Sequence, residues 1–236
     1  MKEMNRREFL KASAATGAVL MAGELLTKGP SVAYGSVKMP EVEKLTITVI
    51  TDNYYDCLRW PEKIATRTTV VTPGLTLHAE HGLAYYIETV VNGKAYKFMF
   101  DFGWDFQGVS RNLDLLDIDL RRLDALALSH GHLDHHGNLI LLLQQNKGKF
   151  RKGIPLYVGE EAFARRWVNF DKKYAPVDGF NDLGQLNRED LENLGIAKVV
   201  EIKEPTPIVP GAYLTGNIKR VTEYEKGSPI LFIDRG

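Results

Sequence analysis

The chain has 236 residues, with 30 Lys+Arg against 30 Asp+Glu, 44% hydrophobic and 25% charged residues. That length suits one ordinary domain with room for an appendage, and the composition is that of a globular protein. The zero net charge argues against a nucleic-acid partner or an acidic membrane held by bulk charge. Cys57 is the single cysteine, so neither an internal disulfide nor a thiolate-based zinc site is available, and it reads as a small apolar filler.

The first segment carries Arg6-Arg7 just before Phe9-Leu10, then a mild apolar run over 12–22. The run is too short for a membrane span, which needs about 20 residues. It resembles a twin-arginine export signal over 1–33, with Ser31-Val32-Ala33 as the expected cleavage site; the plain alternative is an amphipathic N-terminal helix. The segment holds five basic and three acidic side chains, so the rest carries 25 and 27 and is nearly neutral. No stable membrane anchor is expected once the signal is removed.

Residues 34–44 read as a linker and Leu45–Ile50 as a β-branched strand. An irregular stretch follows to about 80, broken at Pro61 and Pro73-Gly74. Two apolar runs, 83–91 and 94–100, flank Asn92-Gly93, both of which tolerate positive φ; the expectation is a hairpin with a type I′ turn. The second run leads into Asp101-Phe102-Gly103. A helix over 107–116, a strand over 124–128, a helix over 138–146 and a strand over 155–158 are expected next. Then come a helix from Glu160 to Trp167 and a Gly/Asp/Asn-rich loop over 170–186. Asn187 is the expected N-cap of a helix ending at Gly195, and 198–202 and 212–215 read as strands. A hairpin followed by alternating helices and strands indicates an α/β layered domain.

The chemistry concentrates in Ser129-His130-Gly131-His132-Leu133-Asp134-His135-His136-Gly137-Asn138, which holds four of the six histidines between two apolar runs. Side chains two apart in an extended loop point the same way, so His130 and His132 reach one ion together. Asp134 continues that spacing, while His135 points elsewhere and serves a second ion. Imidazole and carboxylate without thiolate suit zinc, or else manganese or iron. Two ions about 3.5–4 Å apart hold a hydroxide and polarise a substrate oxygen. The bland alternative is a polar turn whose histidines cap the next helix. His136 breaks the alternation and is expected behind the ligands or at the rim.

His130-Gly131-His132-Leu133-Asp134-His135 resembles the HxHxDH signature of the metallo-β-lactamase superfamily, and Phe100-Asp101-Phe102-Gly103 its strand-end Asp-x-Gly. Glu80-His81-Gly82-Leu83 and Thr215-Gly216-Asn217-Ile218 are similar to the dihydropterin-ribofuranosylaminobenzene-phosphate synthase-like branch. The resemblance runs from about 45 to the last residue. It implies an αββα sandwich, His130 and His132 on a first metal, and Asp134 and His135 on a second. It further implies Asp134 as the catalytic residue that orients the bridging hydroxide or moves a proton, and Asp101 as a support behind the loop. His81 and Asn53 fall at the pocket rim, and His78 has no role. The implied activity is that of an exported metal-dependent hydrolase with one or two zinc ions and a small-molecule substrate.

No histidine follows His136, whereas the family takes a third histidine, a bridging Asp and a final histidine from a later segment. The apolar stretch 228–236 has no following partner in sequence, and the chain reads as an amino-terminal portion of the family's domain, with the C-terminal part of the sandwich missing. Asp178, Asp182 and Glu223 are not spaced to replace the later ligands. Two further readings therefore stand beside the hydrolase: a catalytically inactive fragment with weak metal binding, and a pterin-precursor synthase-like transferase, against which export speaks.

Overall fold

The computed structural model describes residues 40–68, 72–170, 179–225 and 227–234. The export segment 1–33, the linker as far as residue 39, and Asp178 lie outside the described residues.

A six-stranded sheet carries the fold, in the order β1-β2-β3-β4-β5-β8. β1 (Lys44–Thr51), β2 (Ala84–Val91) and β3 (Lys94–Phe100) are antiparallel neighbours. β4 (Ala125–Ala127), β5 (Ile154–Gly159) and β8 (Ala197–Ile202) continue the sheet in parallel. The β2–β3 turn has Asn92 at φ +51 and Gly93 at φ +71, the two left-handed positions of the expected hairpin. Between 52 and 83 there are only isolated bridges, Glu62 with Ala65 and Thr72 with Leu75, among the described residues.

Alternation along the strands sends residues to two faces. Ile50, Ala84, Met99, Leu126, Leu156 and Val158 face one side and form the main core with the helices. α1 (Phe106–Leu115) contributes Val109 and Leu113, α3 (Leu139–Gln145) Leu139, Leu142 and Leu143, and α4 (Arg188–Asn193) Leu191. α2 is a single helical turn, Leu133–His136. On the other face Phe98, Ala125 and Ala127 pack with Ile208 and Val209 of a hairpin made by β9 (Thr206–Val209) and β10 (Ala212–Leu214). At the edge, Leu45, Ile47 and Val49 of β1 stay exposed.

Capping follows the sequence. Asn187 accepts from the backbone N–H groups of Glu189 and Asp190, and Gly195 ends that stretch at φ +62. Asp105 caps α1, accepting from the N–H groups of Gln107 and Gly108.

Three expectations are corrected. Residues 160–163 form turns and the expected helix there is absent; Arg166–Phe170 is strand β6, paired with β7 (Gly179–Gly184) and with β11 (Leu231–Ile233). Pairing partners remote in sequence outweigh local helix preference at Trp167 and Val168. The same sheet places β7 inside the expected 170–186 loop, with Leu231, Phe232 and Ile233 opposite Val168, Trp167 and Arg166 on the other side of β6. Finally, the two-residue alternation stops at His132. Leu133–His136 is helical, so Asp134 and His135 leave the backbone on a turn of helix, with His136 N–H donating to the His132 carbonyl at 3.2 Å.

Candidate metal centre

The site is assembled where β3 and β4 end side by side. Parallel strands deliver Asp101 and Ser129 to the same edge: Asp101 N–H donates to the Ala127 carbonyl at 3.0 Å, and Phe102 N–H to the His135 carbonyl at 2.8 Å. Asp101 is 1% exposed and sits at φ +62, a left-handed conformation that Asp tolerates better than most side chains. Its carboxylate accepts from Ser129 N–H at 2.7 Å through Oδ1, and from Ser129 Oγ at 2.7 Å through Oδ2. The same Oδ2 lies 2.7 Å from His135 Nδ1.

These contacts fix two tautomers. A carboxylate only accepts, so Ser129 Oγ gives it its proton and His135 donates to it from Nδ1. Ser129 Oγ is also 2.9 Å from His130 Nδ1. Its proton is already spent on Asp101, so His130 donates to it from Nδ1. Neutral His130 therefore presents an Nε2 lone pair, and His135 offers its Nε2 to a cation once that nitrogen is deprotonated. One buried carboxylate thus sets His135 directly and His130 through a serine, which is how metal-binding histidines are oriented.

The outward nitrogens meet other ligand-type atoms. His130 Nε2 is 2.9 Å from His132 Nδ1. An ion 2.0–2.1 Å from both nitrogens of a tetrahedral site needs them about 3.4 Å apart, so a shift of a few tenths of an ångström seats one. His132 is the N-cap residue of α2 yet makes no side-chain capping bond, which removes the bland reading for that residue. His135 Nε2 lies 3.3 Å from Asp134 Oδ2. The donor set fits zinc, and equally manganese or iron.

Electrostatics favour neutral imidazole at the first pair. Burial pushes His130 down to about 4, with the neighbouring His135 and His132 adding to the effect. His132 is also lowered, by burial and then by the Arg166 charge. Burial pulls His135 the same way, but its bond to Asp101 and the charges of Asp101 and Asp134 outweigh it and raise its pKa.

Glycines bring the chain close around the loop. A Cβ on Gly131 would stand 2.3 Å from the Ala162 carbonyl oxygen and 2.5 Å from Arg166 Nη1. Arg166, 7% exposed, donates to the Ala164 and Glu161 carbonyls at 2.9 and 2.8 Å. This buried guanidinium behind the loop carried no signal in the sequence, since its partners are backbone groups.

His136 is 5% exposed, so it sits behind the candidate ligands and away from the rim. Its Nε2 has no hydrogen-bond partner among the described residues, and burial holds its pKa down at about 4. Asn138, fully buried, likewise has both amide atoms unpartnered among the described residues. Asn53 and His81 are brought together, with Asn53 Oδ1 3.0 Å from His81 Nδ1.

A second cluster was not anticipated. His78, Glu80 and Asp105 offer ligand atoms mutually within 4.8 Å and could hold a cation. Both carboxylates are already engaged. Glu80 accepts from the N–H groups of Trp104 and Asp105 at 2.9 and 3.0 Å, and Asp105 caps α1. These bonds make the cluster a clamp holding residues 78–82 against the start of α1. A groove of about 630 Å³ runs along β1 and residues 64–68, with His78 and Asp52 at one side, and the HxHxDH loop does not line it.

An α/β domain with an HxHxDH loop at the carboxyl ends of parallel strands, supported from behind by a strand-end Asp, defines a class of metal-binding proteins. The chain belongs to the metallo-beta-lactamase superfamily, whose family model matches residues 79–217, more than half of it. A twin-arginine translocation pathway signal sequence matches residues 3–23 and indicates export out of the cytoplasm. Over 144 residues the chain is 31% identical to 7,8-dihydropterin-6-methyl-4-(beta-D-ribofuranosyl)-aminobenzene-5'-phosphate synthase of Methanocaldococcus jannaschii, covering 60% of this chain and 45% of that protein. Among solved structures it is similar to the metallo-beta-lactamase fold protein YhfI from Bacillus subtilis, at 15% identity, 71% and 50% coverage and a TM-score of 0.38. A quorum-quenching N-acyl homoserine lactone lactonase matches at 14% identity, 56% and 50% coverage and a TM-score of 0.33. The chain spans about half the length of these proteins.

Proposed function

We propose that the protein is an exported metal-dependent hydrolase acting in the periplasm or elsewhere outside the cytoplasm. The observation that carries this reading is the anchoring of both Nδ1 atoms, His135 on Asp101 and His130 on Ser129, which turns their Nε2 atoms toward His132 Nδ1 and Asp134 Oδ2. Zinc held there would supply Lewis acidity and a nucleophile at neutral pH.

The chain's own side chains divide the remaining work. His130 and His132 hold one cation position and His135 with Asp134 the other. Asp134, only partly buried, takes or returns a proton at Oδ2. Asp101 and Ser129 keep the imidazoles from turning, and buried Arg166 keeps the loop's inner side fixed by its bonds to Glu161 and Ala164. A small-molecule ester, phosphoester or lactone is the substrate class that suits this chemistry. A second reading is synthase-type chemistry at the same centre, favoured by the 31% identity to a synthase.

The test is an assay of the full chain supplied with zinc or manganese on phosphodiester and lactone substrates. Turnover abolished by His132→Ala supports the reading. Turnover indifferent to His132→Ala removes it, and so does the absence of any turnover from a chain that binds metal tightly.

A further inference from the structure

We infer that His81 is a metal ligand, completing with Asp134 and His135 the second cation position of the loop. The inference rests on the metal-centre reading above and extends it to a residue from the segment before β2.

Asp134 Oδ2 stands between two imidazole nitrogens, 3.3 Å from His135 Nε2 and 3.7 Å from His81 Nε2. His135 gives its Nδ1 proton to Asp101. His81 is arranged in the same way on the other side. Asn53 Nδ2 donates to Asp52 Oδ1 at 3.3 Å, which leaves its carbonyl Oδ1 turned to His81 Nδ1 at 3.0 Å. A carbonyl oxygen only accepts, so His81 carries a proton on Nδ1 and its Nε2 is the atom left for a metal. Two imidazole Nε2 atoms thus flank one carboxylate oxygen, each ring tied through Nδ1 to an oxygen on its far side. A cation beside that oxygen would take all three, and three protein ligands plus an open position is the usual count of a catalytic zinc site.

The backbone is built to hold His81 there. Leu83 N–H donates to the Asp134 carbonyl at 3.3 Å, and a Cβ on Gly82 would stand 2.5 Å from that same oxygen. Gly82 also has φ +155, a region that favours glycine. The residue between His81 and Leu83 is therefore pressed directly onto the metal loop. Glu80, on the other side, is tied to the N–H groups of Trp104 and Asp105. The His81 side chain is 75% exposed, so its ring is free to swing toward His135 until all three ligand atoms meet on one ion. Asn53 plays for His81 the part that Asp101 plays for His135.

The experiment is a Co2+ titration of the full chain by calorimetry, with the visible spectrum of the bound ion recorded in parallel. The variants are His81→Ala, His81→Asp, Asn53→Ala and His135→Ala. The expected result is that the binding step weakened by His135→Ala is also weakened at least about tenfold by His81→Ala, with a changed spectrum. His81→Asp recovers part of the loss, and Asn53→Ala gives a smaller one. A step weakened by His135→Ala and untouched by His81→Ala overturns the inference and leaves the metal centre standing. A chain that binds no Co2+ at all overturns both. Far-UV circular dichroism identical across the variants shows that an observed loss belongs to the site and not to folding.

Discussion

Asp101 Oδ2 lies 2.7 Å from His135 Nδ1, and that contact ties the end of β3 to the HxHxDH loop. Asp101→Asn places an amide where a carboxylate accepted three bonds, so at least one of the donors from Ser129 and His135 loses its partner. Asn tolerates the positive φ, so the fold survives. Zinc affinity should fall about 10- to 100-fold, read by competition with a chromophoric chelator. An unchanged affinity shows that the carboxylate only braces the backbone.

Gly82→Ala should destabilise the chain by about 1–3 kcal/mol, because it puts a side chain at φ +155 and a Cβ against the Asp134 carbonyl. Urea unfolding gives the number. A loss confined to the metal-free chain, with the metal-loaded one unaffected, contradicts the close packing seen here.

His136 gives a pH dependence with a definite sign. Its folded pKa is held at about 4 by burial, below the ordinary 6.5. Between those values the unfolded chain binds more protons than the folded one, so stability rises with pH there. The contribution is fully present above about pH 6.5 and is lost as pH falls toward 4. It amounts to about 3 kcal/mol at most. In chelator, to keep metal out of the balance, the wild type should lose more stability between pH 7 and pH 4.5 than His136→Asn does. Equal losses argue that His136 is protonated in the folded chain.

Arg166 donates from a buried guanidinium to two backbone carbonyls. Arg166→Leu leaves the part-buried Glu161 and Ala164 carbonyls without this donor and should cost about 1–3 kcal/mol in urea unfolding. It also opens space beside Gly131, so metal binding should weaken alongside. Unchanged stability shows that the two carbonyls find other donors.

Much of this was legible in the sequence, for identifiable reasons. The β2–β3 hairpin rests on Asn92-Gly93, and the cap of α4 on Asn187; both signals are local and both hold. The HxHxDH loop stood out because four histidines fell between two apolar runs. The family followed from that loop together with the strand-end Asp101, and the matched residues 79–217 bear it out. What failed was non-local. The helix expected at 160–167 is replaced by β6 because Val168 and Trp167 have partners more than sixty residues away. The helical turn at 133–136 was hidden by reading the ligand spacing as extended. His78, Glu80 and Asp105 meet only because β1, the 78–82 segment and α1 are folded together, although Glu80 beside His81 and Gly82 was visible as a motif.

The central claim is that the metal sits on the HxHxDH loop and not on the clamp at His78, Glu80 and Asp105. Zinc content and affinity measured on the full chain, on the His130→Ala/His132→Ala double variant and on the His78→Ala/Asp105→Asn double variant test it directly. The account predicts that the first pair of substitutions removes at least one bound ion and that the second leaves zinc binding unchanged. Retention of all the zinc by the first and its loss from the second would contradict it.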